Sequence, residues 1–292
     1  MKPVPFRYVR PSSLHEACAA LGADEDARVI AGGQTLVPML AMRLARPSTL
    51  VDIARLPGLS GVAAQDGVVR IGATTRQVEA ERSDAVARDL PLLAAALPWV
   101  GHPPTRNRGT VGGSCANADP SAEIPLVAVT LEAEMEAQEE GGAFSIPADE
   151  FFIGPMLTAL PPTAILTAVR FPIWREARVG VAFHEISARR SDFAFVSAAG
   201  QVALDAEGRL ARVSLGIGGV GDRPVKLDVA ALAGSRAEPE AVTAAVAAAC
   251  EVLEATSDLH ASADYRRRVA RVLGTRAVLD AAADAQKKDS GR

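Results

Sequence analysis

Two glycine-rich segments hold the residues whose types and spacing could do chemistry. The first, Ala31-Gly32-Gly33-Gln34-Thr35, sits between a strand-like Arg28-Val29-Ile30 and a helical pattern of Leu36, Leu40 and Leu44. Glycine tolerates positive φ and lets backbone come close to a ligand. Free N–H groups followed by a helix N-terminus favour an anion such as a diphosphate. Alone the pair is a weak signal. Neither the GxGxxG fingerprint nor a GxxxxGK[ST] loop occurs in the chain.

The second segment runs Arg106-Asn107-Arg108-Gly109-Thr110-Val111-Gly112-Gly113-Ser114-Cys115-Ala116-Asn117-Ala118-Asp119-Pro120-Ser121-Ala122-Glu123. It offers backbone donors, the hydroxyls of Thr110 and Ser114, and a carboxylate at Glu123 able to accept from ribose hydroxyls. A structural Ω-loop rich in turn residues accounts for the same composition equally well. On the residues alone, nucleotide-diphosphate binding and a plain loop stand level.

Little else suggests chemistry. Cys18, Cys115 and Cys250 are far apart and odd in number, with no CxxC pair, so no disulfide framework, zinc site or iron–sulfur site is visible. His15, His102, His184 and His260 are equally scattered. His102 and His184 are the candidate acid–base groups nearest the glycine-rich segments, and structural roles suit both better. No catalytic residue and no metal ligand is assigned.

The bulk properties narrow the classes. At 292 residues the chain is long enough for two domains. Hydrophobic residues are 49%, enough for sizeable cores and against a disordered chain. The net charge of −4 and the absence of a dense basic run argue against non-specific nucleic-acid binding, and 4% aromatics argue against base-stacking platforms. The opening residues lack the apolar core of a signal peptide, and no apolar stretch approaches the roughly 18 residues of a membrane span. A cytoplasmic protein with reduced thiols is expected.

The elements that must position these segments can be read in outline. Ser13 and Glu16 have capping-box spacing, with Leu14, Cys18 and Leu21 on one helical face and Gly22 as a stop. Residues 49–53 and 68–71 read as strands, 74–80 and 85–97 as helices. Residues 101–125 read as one long loop, which inside a compact domain is functional or disordered. Strands are expected at 124–131, 133–138 and 164–171, then a boundary near 172–179 and an antiparallel run at 183–186, 195–204 and 212–217. Helices over 239–255 and 263–282 close the chain, with Cys250 in an apolar stripe and Arg266-Arg267-Arg268 on a solvated or subunit-facing side. A polar, frayed tail is expected over 286–292.

Taken together, Ala31-Gly32-Gly33-Gln34-Thr35-Leu36, Thr110-Val111-Gly112-Gly113-Ser114 and Ala118-Asp119-Pro120-Ser121-Ala122-Glu123 resemble the FAD-binding subunit of molybdenum hydroxylases. The likeness extends to Phe6-Arg7-Tyr8-Val9-Arg10-Pro11, Leu50-Val51-Asp52-Ile53, Arg189-Arg190-Ser191-Asp192-Phe193-Ala194 and Ser262-Ala263-Asp264-Tyr265-Arg266. The resemblance implies an α+β fold. An FAD-binding domain of the vanillyl-alcohol-oxidase type would fill residues 1–175, in subdomains of about 1–56 and 57–175. A smaller domain of antiparallel sheet and helices would follow over 176–285.

The resemblance also implies a cofactor set. Ala31, Gly32, Gly33, Gln34, Thr35 and Leu36, with Thr110, Val111, Gly112, Gly113, Ser114 and Ala116, would wrap the FAD diphosphate. Gly101 would approach the flavin, and Leu166 would give a backbone contact to the isoalloxazine ring. Glu123 stands where the family carries a ribose-holding aspartate. His184 stands where xanthine dehydrogenase-like members carry a flavin-contacting lysine, whose fixed charge an imidazole lacks.

Molybdopterin and [2Fe–2S] clusters would reside in a large and a small partner subunit, in a dimer of heterotrimers. The wording of residues 98–123 leans toward an N-heterocycle or purine substrate over carbon monoxide, leaving the acceptor open. Two other readings compete: a self-contained flavin oxidase or reductase, and a flavin-free assembly module of the same fold.

Overall fold

The computed structural model describes residues 2–288. The chain opens with β1 (Arg7–Val9), α1 (Leu14–Gly22), β2 (Arg28–Ile30), α2 (Leu36–Ala41) and β3 (Thr49–Asp52). The three strands form a parallel sheet in the order β1-β3-β2. Ser13 caps α1, its hydroxyl accepting from Glu16 N at 3.1 Å. Ala17, Cys18 and Leu21 are buried against Val51 and Ile53.

Next come β4 (Val62–Gln65), β5 (Val68–Gly72), α3 (Gln77–Glu81), α4 (Asp84–Asp89) and α5 (Pro91–Ala96). The helix expected over 85–97 is thus broken in two at Leu90 (φ −128°, ψ 58°), because Pro91 supplies no N–H and starts a new helix instead.

The expected long loop over 101–125 is instead folded. It contains α6 (Pro103–Arg106) and α7 (Val111–Asn117), and runs into α8 (Glu123–Thr130). Prolines open α6, and Thr110 caps α7, so loop-like composition here marks helix starts. The strand expected over 124–131 is this same α8. Ile124 through Thr130 are all buried, so the helix shows no polar stripe from which a 3.6-residue period could be read. Pro125 falls in its first turn, where a missing N–H costs nothing.

There follow β6 (Glu134–Glu139), β7 (Gly142–Pro147), α9 (Ala148–Phe151), β8 (Phe152–Gly154), β9 (Leu157–Thr158) and β10 (Ile165–Pro172), with β8 and β9 pairing as a small sheet of their own. The second sheet is antiparallel, in the order β4-β5-β10-β6-β7. The C-terminal part contains β11 (Arg178–Ile186), β12 (Val196–Leu204), β13 (Leu210–Gly218), β14 (Val225–Leu227), α10 (Pro239–Ala249) and α11 (Ala263–Lys287). Its four strands pair antiparallel in chain order. All nine residues of β12 are buried, since α11 covers one face of the sheet and α5 and α8 the other. The helix lies so close that a Cβ on Gly180 would meet Ala281 O at 2.0 Å.

Three further expectations are corrected. The last helix continues past 282 through Lys287, so Gln286 and Lys287 are helical; residues 289–292 of the expected tail lie outside the described residues. The helix over 239–255 ends at Ala249 and passes into a short 3₁₀ turn at Cys250–Val252. Arg266 belongs to no solvated face. It is 4% exposed and holds Phe195 O, Gly219 O and the Asp258 carboxylate.

Candidate cofactor site

The first glycine-rich segment leaves β2 at its C-terminal end, where open parallel sheets present ligand-binding loops. Gly33 has φ +70°, a left-handed conformation that favours glycine. Among the described residues, the backbone N–H groups of Gly32, Gly33, Gln34 and Thr35 have no protein acceptor. Gln34 Nε2 donates to Gly32 O at 3.2 Å, which stiffens the turn.

The second segment docks onto the first through bare backbone. A Cβ on Gly32 would stand 2.3 Å from Arg108 O and 2.9 Å from Gly109 Cα. Arg108 O also accepts from Arg76 Nη1. Here the amides are spent inside the protein. Val111 N donates to Thr75 O, Gly112 N to Ala73 O, Gly113 N to the Thr110 hydroxyl and Ser114 N to Thr110 O, each at about 3.0 Å. A Cβ on Gly112 would lie 2.4 Å from the Ala73 Cβ. The two segments are alike in composition and different in use: the first offers donors, while the second fixes α7 and offers the Ser114 hydroxyl.

Between them opens a cavity of about 880 Å³. Of the residues the sequence nominates, Ala31, Gly32, Gly33, Gln34, Thr35, Leu36, Gly101, Thr110, Gly112, Gly113, Ser114, Ala116, Glu123 and Leu166 border it. Gly101 (φ +47°) is held from behind by Arg106, whose Nη1 donates to Gly101 O at 2.9 Å and whose Nε pairs with Glu81 at 2.9 Å.

Two nominated residues lie elsewhere. Val111 is fully buried beside α7's own contacts and does not border the cavity. His184 projects from β11 toward α11, where its Nε2 is 2.9 Å from Asp280 Oδ2. Strand alternation turns it there: Phe183 packs in the cluster shared with α5 and α8, whereas Ala182 and His184 face α11. His102 is an exposed residue at the start of α6 and also stays off the cavity.

Glu123 opens α8 at the cavity wall. Burial pushes its carboxyl up to about 7, with Asp119 adding to the rise and Arg106 opposing it. On the neighbouring β11, burial pushes Glu185 up to about 8, and Glu123 adds to that.

Several wall residues escaped the sequence reading. Gln77 borders the cavity from α3. The C-terminal part supplies Phe193, Phe195, Asp258, His260 and Arg266. The rings of Phe195 and His260 stack at 5.9 Å, and Ser121 Oγ donates to Ala194 O at 2.9 Å, joining this wall to the Glu123 loop. The signal available for part of this wall was its presence in the quoted segments 189–194 and 262–266. Among the described residues there is no group of three or more His, Cys, Asp or Glu fit for a metal ion, and no helix long and apolar enough to cross a membrane.

The site fits a dinucleotide such as FAD on its own geometry. Unpaired amides suit a diphosphate, a carboxyl at the wall suits a ribose, and a cavity of about 880 Å³ has room for a flat ring system.

Comparison with known proteins agrees. Residues 4–174 match the FAD binding domain in molybdopterin dehydrogenase, and residues 181–281 match the CO dehydrogenase flavoprotein C-terminal domain. The chain is 37% identical to the nicotine 6-hydroxylase medium subunit of Paenarthrobacter nicotinovorans, over 97% of this chain and 99% of that one. It is 33% identical to the carbon monoxide dehydrogenase medium chain of Hydrogenophaga pseudoflava, over 95% and 97%. The crystal structure of quinoline 2-oxidoreductase from Pseudomonas putida 86 superposes with a TM-score of 0.92 at 36% identity, covering 98% of this chain and 99% of that one. With both family models filling most of its length, the chain belongs to the FAD-binding medium subunits of the molybdenum hydroxylase family of oxidoreductases.

Proposed function

We propose that this chain is the electron-transfer subunit of a heterotrimeric molybdenum hydroxylase. It would take electrons from [2Fe–2S] clusters of a small partner and pass them to an external acceptor while a large molybdopterin partner hydroxylates the substrate. The observation that carries this reading is the cavity itself, bordered by the unpaired amides of residues 32–35 and by Glu123. A bound flavin supplies the redox chemistry, and the protein supplies binding and electrostatics. In this reading Gly32–Thr35 hold the diphosphate, Glu123 accepts from the ribose, and Gly101 and Leu166 border the ring.

An N-heterocycle is the favoured substrate class of the complex. Supporting it, the relatives named for nicotine and 6-hydroxypseudooxynicotine oxidation are 37% identical, against 33% and 34% for two carbon monoxide dehydrogenase chains. A dimer of heterotrimers in the cytoplasm completes the proposal.

The test is purification of the complex with and without this chain. Acid should release one FAD per chain, free of covalent attachment. Stopped-flow spectra should show substrate reducing the flavin only when both partners are present. An isolated chain that turns over substrate at the full rate, or a complex that reduces its acceptor equally well without this chain, would overturn the relay.

A further inference from the structure

Gln77 opens α3 and borders the cavity, yet neither glycine-rich motif contains it. Its backbone N–H donates to Gly109 O at 2.9 Å, which seats the residue against the second segment. The side chain is 5% exposed. Its Oε1 is buried without a hydrogen-bond partner, and among the described residues its Nε2 donates to nothing. A buried carboxamide left this way is costly, and native proteins keep few of them.

The surroundings are shaped around this amide. A Cβ on Gly109 would stand 2.5 Å from Gln77 Oε1 and 2.9 Å from its Cδ. Gly109 therefore lacks a side chain where the carboxamide needs room. Its Cα lies on the other side against Gly32. The amide thus sits beside the seam where the two segments meet, facing the cavity.

Chemistry selects the part of the cofactor that suits it. A carboxamide offers an acceptor oxygen and an NH₂ donor. Phosphate oxygens only accept at neutral pH and would leave Oε1 unpaired. Hydroxyls of a polyol both donate and accept, so they satisfy the two ends together. Exchanging the amide's oxygen and nitrogen leaves this argument intact, since both ends lack partners.

We infer that Gln77 is a further cofactor-binding residue, which holds the ribityl chain of FAD through its carboxamide. The inference rests on the flavin reading of the cavity and goes beyond it by assigning a polyol contact to a residue outside both motifs.

The experiment compares two probes, FAD and ADP, titrated into the flavin-depleted full chain by fluorescence quenching and calorimetry. ADP carries the adenosine and diphosphate without a ribityl chain. Gln77→Met keeps the side chain's length and loses both hydrogen-bonding ends. It should weaken FAD roughly tenfold or more while ADP affinity stays within about twofold of wild type. Unchanged FAD affinity, or equal losses for FAD and ADP, would overturn the assignment. Should Gln77→Met fail to fold by circular dichroism, Gln77→Asn keeps the polar group out of reach and carries the same two outcomes. A wild-type chain that binds no FAD overturns the flavin reading itself, a result visible before any substitution is made.

Discussion

The α-carbon of Gly32 faces the carbonyl oxygen of Arg108 so closely that a Cβ there would lie 2.3 Å from it. No side chain fits that gap, and neither neighbour is a flexible group that could move aside. Gly32→Ala must part the two segments that frame the cavity. The expected result is a folded chain that purifies with little or no FAD. Flavin-to-protein absorbance ratios check it, and a normal ratio would show that the seam is not part of the site.

Gly33 tests a different property, since its problem is backbone conformation. Its φ of +70° penalises a β-branched residue, and Val37 Cγ2 would be 3.1 Å from a Cβ there. Gly33→Val should cost about 1–2 kcal/mol of stability and reduce FAD affinity as its unpaired amides turn. Thermal unfolding and FAD titration measure the two effects separately.

Glu123 gives a pH-dependent outcome with a definite sign. Its carboxyl is raised from the usual 4.5 to about 7 in the folded chain, so the native state binds more protons than the unfolded state between those values. The group's contribution is therefore full below about pH 4.5 and is lost as pH rises toward 7. In the flavin-free chain, Glu123→Gln should gain stability over wild type across that window, on the order of 2 kcal/mol by pH 8. With FAD the order reverses. The variant loses an acceptor worth roughly 1.5–3 kcal/mol when ionised, so its FAD affinity should fall more at pH 8 than at pH 6. Parallel curves for variant and wild type in both experiments would remove Glu123 from the site.

His184 should be dispensable for the cofactor. Its pairing with Asp280 is partly exposed, with 31% and 58% of the two side chains accessible, and such pairs contribute about 0–1 kcal/mol. His184→Ala should leave flavin content unchanged and shift the melting temperature little. A large loss of flavin would restore the role that the family resemblance assigns to this position.

Arg266 should matter much more than its place in a run of arginines suggests. One guanidinium holds two backbone carbonyls and Asp258 while 4% exposed. Arg266→Ala would take their donor from Phe195 O and Gly219 O, while Asp258 keeps the amides of His260 and Ala261, and should destabilise the chain by roughly 1–3 kcal/mol. Arg266→Lys, with one nitrogen where three bonds are made, should recover only part of that in denaturant melts.

These residues also show what could be read before the fold was known. Gly32, Gly33, Thr110 and Ser114 were legible because their chemistry is local: turn glycines and nearby hydroxyls reveal themselves within a few positions, whereas the cap that Thr110 gives α7 was hidden in what read as a loop. α8 was illegible for the opposite reason, since burial on every side erased its period. Gln77 looks like any polar residue at a helix start, and only Gly109, 32 positions away, explains it. Arg266 was hidden by Arg267 and Arg268, whose exposure it does not share. His184 was placed by analogy, and strand alternation turned it to the other face. The Phe195–His260 wall depends on contacts between distant parts of the chain that no window of sequence contains.

The central strand of the C-terminal sheet has a practical consequence for anyone recombining this subunit with a relative. Because β12 is covered by α11 on one side and by α5 and α8 on the other, Phe183 and Ala199 belong to the same apolar cluster as Leu92, Leu93 and Leu126. A chimaera cut in the connection after Pro172 would separate residues that share one interior, even though the cut falls between two recognisable modules. Exchanges that respect this seam must carry α5, α8 and the β11–β13 strands that pack on them as one block. The modular look of the chain is a property of its sequence, whereas its inheritance as a working part is set by that shared interior.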